Sequence, residues 1–251
     1  MRAAPTPGSS PATLWRARGL GPEGASRALL FDIDQTLLYT GGAGGQAMIR
    51  AFEEMFGVPD GFRGVEFSGR TDAAIFRDGV ENHGVEGEFP ILLERFEGVY
   101  ASYLEETLER CRGSLCPGIG PLLDHLVGRE DVVLGLSTGN FRRTGRMKLR
   151  HYGILHHFSS GGFADDSENR AQIVKAAAER AGVNGNRSAV VIGDTPYDVA
   201  SAKANGLFAL AVATGHYDEE SLGRSGADAV LPDFSDWRAT SELLMAIGQA
   251  A

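Results

Sequence analysis

Residues 28–36 read ALLFDIDQT, an apolar run that ends abruptly in two acidic residues. The run Ala28-Leu29-Leu30-Phe31 has no polar face, which is typical of a strand buried on both sides in a parallel sheet. Asp32 and Asp34 follow it directly, so we expect both at the carboxyl end of that strand. The first expectation is therefore a parallel sheet with helices packed on its faces.

A long segment of helical pattern follows this first strand. A glycine-rich break at residues 41–45 precedes apolar residues at helical spacing from Gln46 to about Arg112. The turn signal Cys116-Pro117-Gly118 ends the segment. We therefore expect a smaller, all-helical cap domain at residues 41–116, inserted into an α/β core domain of residues 27–40 and 117–251.

The second half of the chain alternates between strand and helix patterns. Short apolar runs at residues 132–136, 189–192 and 208–212 are separated by helical segments, and a short strand is expected at residues 157–159. This alternation predicts an α/β fold with a doubly wound parallel sheet. Ligands of such sheets bind at the carboxyl ends of the strands, so the helical insertion is placed to act as a lid.

Polar residues follow three of the predicted strands, at the same edge of the sheet. They are Asp32 and Asp34, then Thr138 and Gly139, then Asp194 and Asp198. Helix capping explains each motif separately, because Asp and Thr commonly begin helices. The three together favour a functional site, since carboxylate oxygens are ligands that Mg²⁺ prefers and Mg²⁺ leaves room for a phosphate oxygen. Without a cation, the clustered carboxylates would repel one another.

These motifs and their order resemble the haloacid dehalogenase (HAD) superfamily of phosphohydrolases. The segment Gly69-Arg70-Thr71-Asp72 of the expected cap is similar to segments in the caps of its phosphoglycolate phosphatase-like members. The resemblance covers about residues 28–235 and includes a helical cap after the first strand. It implies that Asp32 is the nucleophile and forms an aspartyl-phosphate. It also implies that Asp34 is the general acid for the leaving group and then the base that activates water.

The same resemblance implies a magnesium and phosphate site. Mg²⁺ would be held by the Asp32 carboxylate, the Asp34 carbonyl and Asp194, while Asp198 supports these ligands. Thr138 and Gly139 would bind the transferred phosphoryl oxygens.

The superfamily also needs a cation beside the phosphate, and its usual Lys-Pro pattern is absent here. Arg170 is the first candidate, because it opens a predicted helix after an acidic loop, and Lys175 is the alternative. Five basic residues on another predicted helix are expected to form a solvated face; they are Arg142, Arg143, Arg146, Lys148 and Arg150. A second departure from the family pattern is Gln35, where glycine is usual.

The cap should select the substrate, because the core handles only the phosphoryl group. Arg70 is a candidate to reach a second anionic group, which would suit a small carboxylated phosphate ester such as phosphoglycolate. The expected function is thus a Mg²⁺-dependent phosphatase acting on a small phosphorylated metabolite. A phosphomutase is the first alternative, since it shares the core residues. A haloalkanoate dehalogenase, which does not need Asp34 or Asp194, and a non-catalytic binding module are the others.

Composition limits the possible partners. The 251 residues include 24 Lys and Arg against 33 Asp and Glu, a formal net charge of −9. Nucleic acid is not expected as a partner, because it requires a basic surface. A membrane is not expected either, since no run approaches the roughly 18 apolar residues that a span needs. We expect a cytoplasmic monomer or homodimer that binds a small-molecule phosphate ester.

The first 26 residues are rich in Pro, Gly, Ala and Ser and are expected to form a flexible N-terminal extension. They lack the continuous apolar segment of a secretory signal. Their arginines leave an organelle transit peptide as the alternative interpretation.

Overall fold

The computed structural model of the chain describes residues 27–183 and 189–247. In these residues a six-stranded parallel sheet carries helices on both faces, which confirms the predicted α/β, doubly wound class. The predicted N-terminal extension, residues 1–26, lies outside the described residues. No helix in the described part of the chain combines the length and the apolar character needed to cross a membrane.

Eight strands and nine α-helices form the described structure. The strands are β1 Arg27–Phe31, β2 Leu38–Tyr39, β3 Ser114–Leu115, β4 Val132–Ser137, β5 Ser160–Gly162, β6 Ala189–Gly193, β7 Phe208–Val212 and β8 Ala229–Leu231. The helices are α1 Ala43–Phe56, α2 Asp72–Asn82, α3 Phe89–Arg110, α4 Ile119–Val127, α5 Arg142–His151, α6 Arg170–Arg180, α7 Pro196–Ala204, α8 Glu219–Arg224 and α9 Trp237–Ala246. A short 3₁₀-helix covers Leu155–His157.

The order of strands in the sheet places the end of β1 at a special position. The order is β5-β4-β1-β6-β7-β8, with all neighbours parallel. The chain builds outward from β1 to β4 and β5, and then returns to build β6, β7 and β8 on the other side of β1. Ligands of open α/β sheets bind where the strand order reverses in this way. Asp32, the residue after β1, therefore stands at the reversal point.

Both faces of the sheet are buried because alternate residues of each strand enter different hydrophobic clusters. Leu29 and Phe31 pack on one face with residues of α4 and α9, such as Leu122 and Leu244. Ala28 and Leu30 pack on the opposite face with α6 and α7. This burial explains why β1 is a continuous apolar run instead of an alternating one.

The helical insertion, meaning α1, α2 and α3, lies between the two short strands β2 and β3. These strands pair antiparallel, with Leu38 opposite Leu115 and Tyr39 opposite Ser114, so the two ends of the insertion meet in one ribbon. The insertion has its own aromatic core, in which the rings of Phe76 and Phe96 stack with centroids 4.2 Å apart. A separate core supports our proposal that residues 41–116 form a distinct cap.

Some elements differ from the expectation. The strand expected at residues 157–159 is wrong in position: a 3₁₀-helix occupies Leu155–His157 and the strand begins at Ser160. This strand is short and glycine-rich, and its sequence Ser160-Gly161-Gly162 has neither the branched side chains nor the alternation typical of strands. Its position at the edge of the sheet beside β4 defines it instead.

Candidate active site

Asp32 stands at the base of a cavity, fixed by its backbone to the neighbouring strand. Its amide donates to the carbonyl of Ile192 at 2.9 Å, which continues the β1–β6 pairing by one residue. The side chain is buried, and its Oδ1 has no hydrogen-bond partner. Burial raises the pKa of Asp32 to about 7; the nearby carboxylates of Asp198 and Asp34 act in the same direction, against Arg170. A buried carboxylate with a free oxygen is poised to bind an electrophile or a cation.

Asp194 and Asp198 complete an acidic cluster with Asp32. Ligand oxygens of the three residues lie within 4.8 Å of one another, and all three residues are buried. Thr36 Oγ1 donates to Asp194 Oδ1 at 3.1 Å, while Asp194 Oδ2 has no partner. Burial and the two neighbouring carboxylates raise the pKa of Asp194 to about 8.

This cluster fits a divalent cation. Two buried oxygens, Asp32 Oδ1 and Asp194 Oδ2, lack a partner, and such orphaned groups are costly unless something binds them. Their hard oxygen character is what Mg²⁺ prefers. Asp198 is engaged differently, because it accepts from the Thr195 amide and hydroxyl at 3.1 and 2.7 Å and from Arg170. Asp198 therefore resembles a support for the cluster more than a free ligand.

Asp34 faces the same cavity but is held by a different set of side chains. Its Oδ2 accepts from Lys148 Nζ at 2.6 Å and from Asn140 Nδ2 at 2.8 Å. Lys148 Nζ also donates to Asn140 Oδ1 at 2.5 Å, which closes a triangle of hydrogen bonds. The triangle fixes the direction of the Asp34 carboxylate, because each of its members is bonded to the other two.

Lys148 corrects the expectation of a solvated basic helix face. The residue is only 3% exposed and points into the cavity, so the prediction was wrong for this member of the series. A signal for it was present in the sequence. The buried positions of α5 are Thr144, Gly145, Lys148 and Leu149, which share one face by helical spacing. A lysine in that pattern stands on the apolar side of its helix.

Thr138 is fully buried, and its hydroxyl forms a hydrogen bond with the Asp32 carboxylate. Its Oγ1 accepts from the Asn140 amide at 3.3 Å and from Asn140 Nδ2 at 2.9 Å. A hydroxyl has two lone pairs and one proton, so with both lone pairs engaged Thr138 can act only as a donor. Asn140 thus orients both Thr138 and Asp34, a role that no motif in the sequence predicts.

Arg170 and Lys175, the two candidate cations, have different surroundings. Arg170 is buried beside the acidic cluster, where its Nη2 contacts Asp198 and lies 3.7 Å from Asp32 Oδ1. Lys175, on the same helix, is exposed and is not among the residues that line the cavity. The geometry therefore favours Arg170 over Lys175, and it adds Lys148 as a second buried cation.

Arg70 lies on the cavity wall, but its guanidinium is already paired. It contacts Asp78 of α2 through both terminal nitrogens, the longer contact being 3.2 Å from Nη2 to Oδ1. Its backbone carbonyl approaches Gly139 so closely that a Cβ on Gly139 would lie 2.3 Å from it. Any residue other than glycine at position 139 would push the helical insertion away from the loop that follows β4.

Asp72 joins the helical insertion to this loop. Its amide donates to the Gly139 carbonyl at 2.7 Å, and its Oδ2 accepts from the Phe141 amide at 3.0 Å. Phe141 is the N-cap residue of α5 and has no side-chain cap of its own, so Asp72 caps that helix from a distant segment. The helix that Asp72 itself begins, α2, is capped by the side chain of Thr71. No local pattern reveals this role, because the partners of Asp72 lie far along the chain.

Gln35 adopts a backbone conformation that favours glycine. Its φ is 62°, in the left-handed region. The Gln35 amide donates to the Leu38 carbonyl at 2.8 Å, and Thr214 Oγ1 donates to the Gln35 carbonyl. These bonds hold the turn that carries Asp34, which explains why glutamine is tolerated where the family pattern has glycine.

The site opens into a cavity of about 430 Å³ between the sheet edge and the helical insertion. Its floor includes Asp32, Asp34 and Asp194, and Lys148 and Arg170 stand at its sides. The glycine-rich start of α1 also lines the cavity, together with Met48 and Tyr100. A cavity of this size, with convergent polar groups at one end, is typical of a small-molecule site.

A model of the haloacid dehalogenase-like hydrolase family matches residues 29–212. The match includes five of the six strands of the sheet, the reversal of strand order at Asp32 and the acidic cluster. The chain therefore belongs to the haloacid dehalogenase-like hydrolases, which confirms the resemblance found in the sequence.

Among curated proteins, the tyrosine-protein kinase PtkA of Mycobacterium tuberculosis is 32% identical over 119 residues. The matched part is 47% of this chain and 40% of PtkA, so the similarity spans well under half of that protein.

Several solved structures share the fold at low sequence identity. A predicted phosphatase from Clostridium acetobutylicum has a TM-score of 0.65 at 18% identity, covering 86% of this chain and 98% of that one. A predicted phosphoglycolate phosphatase from Haemophilus somnus has 0.64 at 16%, covering 86% and 97%. A candidate β-phosphoglucomutase from Thermotoga maritima has 0.57 at 21%, covering 88% and 99%.

Removal of the Asp72 carboxylate should loosen the start of α5. Asp72→Ala leaves the Phe141 amide without its acceptor, and we expect a loss of about 2 kcal/mol in the free energy of unfolding. Amide hydrogen exchange at Phe141 should accelerate, as measured by NMR. Asp72→Asn keeps an acceptor oxygen and should lose less. An unchanged exchange rate at Phe141 in Asp72→Ala would refute the capping role.

The metal-free protein should lose stability as the pH rises from 5 to 8. The pKa values of Asp32 and Asp194 are raised above their ordinary value, to about 7 and about 8, so the folded state binds more protons than the unfolded state in this range. The free energy of unfolding then falls with rising pH. Urea titrations in EDTA should show this slope, and Asp194→Asn should make it shallower. An equal slope in both proteins would contradict the assignment to Asp194.

Proposed function

We propose that the protein is a Mg²⁺-dependent phosphatase that hydrolyses a small phosphate monoester through an aspartyl-phosphate on Asp32. The observation that carries this proposal is the free Oδ1 of Asp32, buried at the floor of the cavity among acids and two cations. Membership of a hydrolase family supports the reaction class. The phosphatases among the similar structures agree with it, although their low identity bears on the fold alone.

In the first step an Asp32 carboxylate oxygen attacks the phosphorus atom. The bond from phosphorus to the leaving oxygen breaks, and that oxygen takes a proton from the carboxyl of Asp34. In the second step Asp34 accepts a proton from water, whose oxygen attacks the same phosphorus and releases the Asp32 carboxylate with inorganic phosphate. The triangle of Asp34, Asn140 and Lys148 holds the proton-transfer group in one direction for both steps.

Three groups of this chain would stabilise the transferring phosphoryl group. Thr138 donates its hydroxyl proton, and Lys148 and Arg170 supply positive charge from two sides of the cavity. Donors fixed before the reaction stabilise the transition state without reorganisation at the moment of transfer. Asp32 and Asp194 would hold Mg²⁺ with the Asp34 carbonyl, and the ion would neutralise phosphate charge and polarise its oxygens.

Transfer to an acceptor other than water is the second candidate. The named activities of two similar proteins, a tyrosine-protein kinase and a β-phosphoglucomutase, are phosphoryl transfers of this kind. The residues around Asp32 would serve both hydrolysis and transfer to another acceptor. The two reactions share the first step, and water or the other acceptor enters only in the second. A haloalkanoate dehalogenase is disfavoured, because the buried Asp194 with its free oxygen has no use in that reaction. A non-catalytic module would not need the same set of buried acids.

Substitution of the nucleophile should abolish hydrolysis. Asp32→Asn removes the attacking oxygen anion, and we expect kcat to fall at least about 10³-fold on a panel of phosphate monoesters. Phosphate release should also stop in EDTA and return with Mg²⁺. The exposed Glu109→Gln provides the control. Retained activity in Asp32→Asn would refute the nucleophile, whereas isomerised sugar phosphates without phosphate release would favour the mutase.

Substitutions of Lys148 and Lys175 should have very different effects on kcat/KM. Lys148→Met removes a buried cation from the cavity and should lower kcat/KM by about 10²-fold, the usual effect of losing one fixed donor. Lys175→Met removes the same charge from an exposed position and should leave kcat/KM nearly unchanged. Steady-state kinetics on one ester, with urea unfolding as a check on folding, decides the matter. Equal effects of the two substitutions would exclude a role for Lys148.

A further inference from the structure

One wall of the cavity contains the first turn of α1, which carries two adjacent glycines. Gly44 and Gly45 are the second and third residues of α1, and both line the cavity. Glycine within a helix costs about 1 kcal/mol relative to alanine. Glycine at positions 44 and 45 therefore makes this end of α1 less stable than alanine would. This cost calls for a physical reason for glycine at each of the two positions.

Gly44 has a packing reason and Gly45 does not. A Cβ on Gly44 would lie 3.3 Å from Lys148 Nζ and 3.5 Å from the Tyr100 hydroxyl, so glycine lets the helix approach these groups. A Cβ on Gly45 would meet nothing within 4 Å. The Gly45 φ is not in the left-handed region either. Neither packing nor backbone geometry requires glycine at position 45, which lines the cavity and has open space where a Cβ would stand.

The floor of the same cavity points to a ligand independently of the glycines. Asp32 and Asp194 are 6% and 1% exposed, and each has a carboxylate oxygen without a partner. Both residues line this cavity. A ligand whose phosphate and metal satisfy these oxygens would extend its remaining part toward the open wall at Gly45.

Beyond Lys148 and Arg170, which the proposed function assigns to the phosphate, the described lining residues include no unpaired lysine or arginine for a second anion on that part of the ligand. Among the lining residues that the structure describes, each lysine and arginine already contacts a carboxylate. The pairs are Arg70 with Asp78, Lys148 with Asp34, and Arg170 with Asp198. The remaining wall near α1 is apolar or aromatic, with Met48, Ile75 and Tyr100. This surface suits an uncharged group more than a carboxylate.

We infer that the leaving group of the substrate is uncharged, that it lies against α1, and that Gly45 sets its maximum size. The inference rests on the proposed phosphatase function. It differs from the phosphoglycolate-like expectation, which would require Arg70 to exchange Asp78 for the substrate. A side chain at position 45 would project into the volume that a large leaving group occupies and would leave room for a small one.

The experiment compares phenyl phosphate with the larger 1-naphthyl phosphate. Gly45→Val should lower kcat/KM for 1-naphthyl phosphate at least about tenfold more than for phenyl phosphate, the scale on which a pocket discriminates by size. Gly98→Val is the matched control, because Gly98 also lies within a helix, α3, with nothing within 4 Å of an added Cβ, and is not among the lining residues. It should leave the ratio of the two kcat/KM values unchanged.

Calorimetric binding to Asp32→Asn and to Asp32→Asn/Gly45→Val gives a readout that needs no turnover. The second protein should bind 1-naphthyl phosphate at least about tenfold more weakly relative to phenyl phosphate. An unchanged ratio in both kinetics and binding would overturn the role of Gly45 and leave the phosphatase intact. Tighter binding of 2-phosphoglycolate than of 1-naphthyl phosphate to Asp32→Asn would overturn the uncharged class. A wild-type protein that releases phosphate from none of the panel of monoesters would overturn the proposed function, and the binding ratio would then decide the size inference by itself.

Discussion

The candidate active site brings three buried carboxylates, those of Asp32, Asp194 and Asp198, within 4.8 Å of one another. Their mutual repulsion is the constraint that the surrounding structure has to offset. Such a cluster exists only where nearby positive charge offsets it and where the backbone allows the approach. Arg170 supplies part of the charge by contacting Asp198 and standing near Asp32. Glycine supplies the approach: a Cβ on Gly193 would lie 2.2 Å from Asp198 Cγ, and one on Gly215 would lie 1.9 Å from Asp194 Oδ2. Part of the high glycine content of the chain, 34 residues, thus serves to bring acids together.

The helical insertion and the sheet edge are not independent parts of the site. Asp72 caps α5, the helix that carries Lys148, and the Gly139 carbonyl accepts from the Asp72 amide. A second contact, the ion pair of Arg77 with Glu168, joins α2 to the segment just before Arg170. Lys148 and Arg170, the cations of the proposed phosphate site, are therefore positioned partly by α2 of the helical insertion. Substitutions in α2 would then act on the loop around Thr138 as well as on the substrate side.

Much of the fold could be predicted because its signals are local. The buried strand before Asp32, the alternation after residue 130 and the glycine-rich start of the insertion can each be recognised without knowing any distant contact. The same holds for Asp32, Asp194 and Arg170, which follow or precede regular elements. Lys148 could have been recognised from the helical spacing of its buried neighbours, although the surrounding arginines conceal it. Asp72 could not, since its partners are set by how the insertion docks, and the edge strand at Ser160 could not, since its glycines carry no strand signal.

The two-stranded ribbon of β2 and β3 couples the insertion to the chemistry. Leu38 pairs with Leu115 in the ribbon, and it also forms a bridge with Asp34 and accepts from the Gln35 amide. The turn that bears Asp34, the proposed proton-transfer group, is thus continuous with the ribbon that joins the helical insertion to the core. A rotation of the insertion about this joint would tilt Asp34 as the cavity opens. In the proposed reaction, bulk water would then enter while Asp34 is out of place, so that hydrolysis of the aspartyl-phosphate would be confined to the closed molecule.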